Sequence, residues 1–207
     1  FGPNAFAGAI NIITLSPEKA VPSVSLRGGL YGTGELSANL PFRTKKVYHV
    51  LSLNGSTTDG YTENTDFKKA GAYYRMNAAI GKTKADVQAG YINKGFGANS
   101  FYSPKYPNQY EATSTIFASA GLTDVNAQKW KANVYWRRHY DRFELFRNNP
   151  PSWYKNHNYH LSDVAGATVN RTFSWKKHKT SLGADFRMEH IYSNVLGTTM
   201  NTPVAVA

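Results

Sequence analysis

Apolar and polar residues alternate along most of this chain with a period of two, and the three-to-four spacing of a helix is missing. Val24 and Leu26 alternate with Ser23, Ser25 and Arg27. After a glycine-rich turn, Leu36, Ala38, Leu40 and Phe42 oppose Glu35, Ser37 and Asn39. The same alternation predicts further strands at 47–56, 69–81, 85–93, 112–123, 129–143, 162–175 and 180–192, about nine in all. In the clearest of them Ala70, Ala72, Tyr74, Met76, Ala78 and Ile80 share one face, while Tyr73, Arg75 and Asn77 share the other. Ala85, Val87, Ala89 and Tyr91 likewise oppose Asp86 and Gln88. Trp130, Ala132, Val134 and Trp136 oppose Lys131, Asn133 and Arg137; Leu182, Ala184, Phe186 and Met188 oppose Asp185, Arg187 and Glu189. The run 162–175 does not divide cleanly into two faces.

The connections carry a second pattern. Short basic or polar turns (43–46, 82–84, 124–128, 176–179) alternate with long segments (58–68, 95–111, 145–161, and one beginning at Ser193). Tight turns at one end and extended loops at the other are the asymmetry of outer-membrane barrels. A β-sandwich also alternates, but it does not account for strands of 10–14 residues with Arg, Asp, Glu and Asn on what would be its core face. The expected fold is therefore all-β, an antiparallel up-and-down meander forming part of a transmembrane β-barrel. Aromatics near the predicted strand ends, among them Tyr48, Trp130, Trp175 and Tyr192, suit the membrane interfaces of such a barrel.

Composition narrows the function classes. The 207 residues contain no cysteine, which excludes a disulfide framework and any cysteine-based metal site or nucleophile. No apolar run approaches the roughly 20 residues of a membrane-spanning helix, but barrel strands leave a weaker signal. The net charge of +11 raises the question of nucleic acid. The basic residues fall in short turns and near strand ends rather than in one stripe, so no nucleic-acid partner is expected.

The opening stretch, Phe1-Gly-Pro-Asn-Ala-Phe-Ala-Gly-Ala-Ile-Asn-Ile-Ile-Thr14, has small residues for close backbone packing followed by a short apolar run. It resembles the closing segment of the plug domain in TonB-dependent outer-membrane receptors, whose pattern Phe1, Gly2, Ala5, Gly8, Ile10, Asn11, Ile12 and Thr14 follow. The resemblance implies that residues 1–16 end the plug, 17–22 connect, and 23–207 begin a 22-stranded barrel with a plugged lumen. It also implies residence in the bacterial outer membrane, contact with outer-membrane lipid, and energy-coupled uptake of a scarce large ligand. That ligand would be cobalamin (vitamin B12) or a ferric siderophore, with the TonB complex acting through a part of the receptor before this stretch. On this view the sequence is a piece of a longer protein.

Binding residues are expected on the long loops. The segment 95–111 is similar to a loop of the vitamin B12 and siderophore branches of that family. Its Phe96, Asn99, Phe101, Tyr102, Tyr106 and Tyr110 offer flat apolar faces with polar tips. The same residues also fit self-packing of a compact loop around its prolines. Asp59, Glu63, Asn64 and Asp66 form an oxygen-rich cluster of the kind that holds calcium, although without EF-hand spacing. His157 and His160 have a spacing known among metal ligands but no carboxylate motif beside them. No Gly-x-Ser-x-Gly nucleophile elbow is present. Neither an enzyme, a bound cofactor nor a metal centre is expected. The alternative to a receptor is a small outer-membrane barrel acting as an enzyme or adhesin.

Overall fold

The structure, a computed structural model, describes residues 14–124, 129–201 and 204–206, and the side chains before residue 199. The plug-like motif therefore lies outside the described residues except for Thr14. A 3-10 turn at Pro17–Lys19 precedes β1 (Ser23–Gly28), β2 (Gly34–Thr44), β3 (Val47–Thr58), β4 (Phe67–Ile80) and β5 (Thr83–Gly97). There follow β6 (Tyr110–Asp124), β7 (Trp130–Glu144), β8 (Asn158–Trp175), β9 (His178–Ser193), β10 (Gly197–Asn201) and β11 (Val204–Val206). One antiparallel sheet holds them all. β1 to β10 pair in chain order, and β11 returns to β9 beyond β10. The sheet is open: β1 and β10 each have one neighbour among the described strands.

Nine long strands in a meander match the expectation, and two short ones are added at the end. Several strands run past their expected limits, most of all at the loop ends of β5 and β8. β5 runs to Gly97 and β6 starts at Tyr110, so Phe96 and Tyr110 belong to strands rather than to the loop. β8 starts at Asn158. In each case backbone pairing continues past the last apolar residue, because ladder hydrogen bonds do not depend on the side chain.

The register settles the faces. One row across the ladder is Phe42, His49, Met76, Val87, Ala120, Val134, Ala167 and Phe186. The adjacent row on the opposite face is Tyr48, Asn77, Asp86, Gly121, Asn133, Thr168 and Asp185. β8, indistinct in sequence, puts Ala165, Ala167 and Val169 on the apolar side, and Val164, Thr168 and Asn170 on the polar side.

Neither face is covered by a second layer of the described chain. On the apolar side Val24 is 70% exposed, Val134 55% and Leu182 58%. His49, a polar residue on that side, is stacked on Phe42 at 4.6 Å and joined through Nδ1 to the Tyr74 hydroxyl at 2.7 Å. The polar side is knitted by its own side chains. Arg75 Nε donates to both Asp86 oxygens at 3.1 and 2.9 Å, Tyr73 donates to Gln88 at 2.8 Å, and Gln88 donates to Ser119 at 2.9 Å. The entering chain lies on this polar side. Arg75 donates to Thr14 Oγ1 at 2.5 Å, buried Asn77 to Ser16 Oγ at 2.8 Å, and Asn39 to the Val21 carbonyl at 2.9 Å.

Both the turns and the apolar band run obliquely across the ladder. The β2–β3 hairpin closes at Thr44 and Val47, whose row continues to Ala78, Ala85, Leu122, Ala132, Val169 and Ala184. The β4–β5 hairpin closes two residues beyond that row, at Ile80 and Thr83. The β8–β9 hairpin closes six residues beyond it, at Trp175 and His178. Each strand thus shifts by one residue. Toward the other end, the apolar row Val24, Ala38, Leu53, Ala72, Tyr91, Ile116 turns polar on β7–β9, where it continues as Arg138, Asp163 and His190.

Candidate functional site

The loops 59–66, 98–109 and 145–157 meet at the end of the sheet away from the short turns, and four side chains bind them into one body. Arg147 donates from both terminal nitrogens to Asp66, at 2.5 and 2.9 Å. Asn64, at φ 56, donates to the carbonyls of Pro107 (2.8 Å) and Gln109 (2.7 Å). Asparagine tolerates that left-handed backbone. Asn99 donates to the Glu63 carbonyl at 2.7 Å, and the Arg147 amide to the Asn108 carbonyl at 2.8 Å. Gly97 has to be small here, because a Cβ would meet the backbone of Asn64 at 2.5 Å. The hydrogen bonds from Arg147 hold the Asp66 carboxyl below its ordinary value of 3.8, against the opposing effect of burial.

The calcium-like cluster is not assembled. Asp66 is engaged by Arg147, the Asn64 amide by the next loop, and Asp59 stands beside Gly32 in the first hairpin. Among the described residues no group of three or more His, Asp or Glu is placed to hold a metal ion. His157 and His160 part company: His157 packs between Tyr154 and Tyr159, and His160 lies on the polar face.

On the polar face, at the loop end of the sheet, is a cavity of about 500 Å³ lined by Tyr102, Tyr106, Glu111, Asp141, Phe143 and His160, among others. β5 to β8 position its floor through two cross-strand rows, Phe96–Glu111–Phe143–Asn158 and Lys94–Thr113–Asp141–His160. The loop supplies its wall. Tyr102 packs edge-on against Phe143 at 5.1 Å and donates to Glu111 at 2.7 Å, while its amide donates to the side-chain oxygen of fully buried Gln109 at 3.3 Å. Burial, and then the bond to Glu111, push the Tyr102 phenol up to about 12, so it remains a donor at neutral pH.

Of the six aromatic and amide residues expected to bind, Tyr102 and Tyr106 line the cavity. Phe101 is 76% exposed, in edge contact with Tyr102. Asn99 is committed to tying the loops. Phe96 lies on the polar face under Lys94. Tyr110 stands on the opposite side of the ladder under Arg147, 4.4 Å from its guanidinium. The loop also packs on itself and its neighbours, Tyr106 against Phe146 at 5.5 Å, so capture and self-packing describe different residues of one segment. His160, paired with His157 in the sequence by metal-ligand spacing, serves here as a lining residue, and no motif marks Glu111, Asp141 or Phe143 as lining residues. Their only sequence signal is a polar-face position at the loop end of a strand.

Compared with known proteins, the chain matches no family model and no curated protein.

Proposed function

We propose that this chain is part of the wall of a bacterial outer-membrane β-barrel, with the apolar face toward lipid and the polar face toward the lumen. The observation that carries this reading is the uncovered apolar face running obliquely across nine strands. A soluble protein seldom exposes more than a few hundred Å² of contiguous apolar surface, and lipid is the medium in which such a face is stable. The obliqueness follows as well. If all the short turns lie at one membrane surface, a shift of one residue per strand, with a rise near 3.3 Å and a spacing near 4.8 Å, leans the strands by about 35°. That is the lean of a closed barrel. Arg138, paired with Asp163 at 2.9 and 3.0 Å, then marks the band's upper border beside Trp136.

The lumen would not be empty. Thr14 and Ser16 are bonded to the polar face, as expected of a chain leaving a plug and entering the wall from inside. Together with the plug-like motif, this supports a TonB-dependent receptor that captures cobalamin or a ferric siderophore at its clasped loops. Deleting residues 98–109 from the full-length receptor tests it. Ligand binding should fall at least tenfold while the barrel remains membrane-inserted. Unchanged binding would refute the receptor assignment of these loops.

A further inference from the structure

The cavity under the loops has a chemistry that separates the two ligand classes left open above, and the inference rests on the receptor reading. Its lining holds two carboxylates, Glu111 and Asp141, and neither Lys nor Arg, beside Ser103, Gln109, Asn158 and His160, which can donate or accept. Glu111 and Asp141 stand on adjacent strands in neighbouring rows of the polar face, and neither forms an ion pair among the described residues. Glu111 receives the Tyr102 hydroxyl on Oε2. Asp141 Oδ1 and His160 Nδ1 are buried without a hydrogen-bond partner among the described residues. Lys and Arg side chains sit beside the lining rather than in it: Lys94, two strands from Asp141 in its row, reaches over Phe96, and Lys105 lies over the Tyr106 ring at 5.5 Å, while His139 bonds Thr115 at 2.7 Å. The aromatic walls, Tyr102, Tyr106 and Phe143, suit the flat face of a ring system.

We propose that this cavity grips one edge of a large ligand whose periphery presents amide or ammonium N–H donors, and that it rejects oxygen-rich anionic chelates. A corrinoid, ringed by carboxamides, presents such an edge. A ferric tricatecholate presents oxygens and negative charge to two carboxylates, and like charges brought together in a partly desolvated site repel. Two carboxylates taking N–H donors form charge-assisted hydrogen bonds, the stronger kind.

The test uses the full-length receptor in detergent, with cyanocobalamin and a ferric tricatecholate as probes in equilibrium binding. Glu111→Gln keeps an oxygen for Tyr102, so the loop stays seated, and Asp141→Asn keeps the side-chain shape. The wild type should bind cyanocobalamin and not the tricatecholate, and the double variant should bind cyanocobalamin at least tenfold more weakly. Heat-modifiable gel mobility confirms that both proteins are folded barrels. Unchanged cyanocobalamin affinity in the double variant, or preference of the wild type for the tricatecholate, overturns the cavity assignment alone. A folded receptor that binds neither probe overturns this assignment and the uptake reading together.

Discussion

Arg147 grips Asp66 through two nitrogens across 81 residues of chain, and that pair fastens the third long loop to the first. Arg147 also donates to Asn64 Oδ1 at 3.2 Å and covers the Tyr110 ring, so its removal would free three contacts at once.

The clasp should therefore depend on pH. Asp66 has a folded-state pKa below its ordinary 3.8, so the stability it contributes is complete above that value. The contribution is lost as pH falls from about 3.8 through the lower folded value. Both partners are nearly one-third exposed, so salt should weaken the clasp too. Limited proteolysis of loop 145–157 should accelerate below pH 4 in the wild type, and Arg147→Ala should reproduce that acceleration at pH 7. Equal proteolysis of variant and wild type at pH 7 would contradict the clasp.

The strap at the start of the chain should come away from the wall when its donors are removed. Arg75 and Asn77 hold Thr14 and Ser16, and a hydrogen bond from a charged donor contributes about 1.5–3 kcal/mol. Hydrogen exchange across residues 14–21 should speed up roughly tenfold or more in Arg75→Ala, with a smaller change in Asn77→Ala. Exchange in β7 and β8 should stay as it was. Unaltered exchange in the strap would mean that these bonds do not hold it.

How much of this was legible beforehand follows from what each contact depends on. The two faces of β4, β5, β7 and β9 were readable because side chains alternate strictly and one side is apolar. β8 was not readable in the same way, since Val164 sits on the polar side and Arg171 on the apolar side near Phe173. The ends of β5 and β6 were hidden because Asn93, Lys94 and Gly95 break the apolar pattern without breaking the ladder. The cavity was least legible. Glu111 and Asp141 become neighbours only through the pairing of β6 with β7, and Asn64 meets Gln109 only when separate loops fold together.

A glycine on the polar face offers a packing test. Gly90 lies under the Phe117 ring, and a Cβ there would run into it. The same ring stacks on Tyr73 at 6.2 Å. Gly90→Val should destabilise the sheet by about 1–3 kcal/mol, read as a lower urea midpoint for unfolding. Adding Phe117→Leu should recover part of the loss. No change in midpoint for Gly90→Val would show that the ring is not held.

The proposed division of the sheet into a lipid face and a luminal face is tested most directly at two adjacent residues of β5. Val87 and Gln88 point to opposite sides, and residues 1–207 contain no cysteine of their own. Single cysteines at the two positions, in the full-length protein in membranes, are probed with a water-soluble maleimide and with quenching of an attached fluorophore by nitroxide-labelled lipid. Val87→Cys should be quenched by lipid and resist the maleimide, and Gln88→Cys should react with the maleimide and escape quenching. The opposite pattern, or equal behaviour at both positions, would contradict the barrel-wall account.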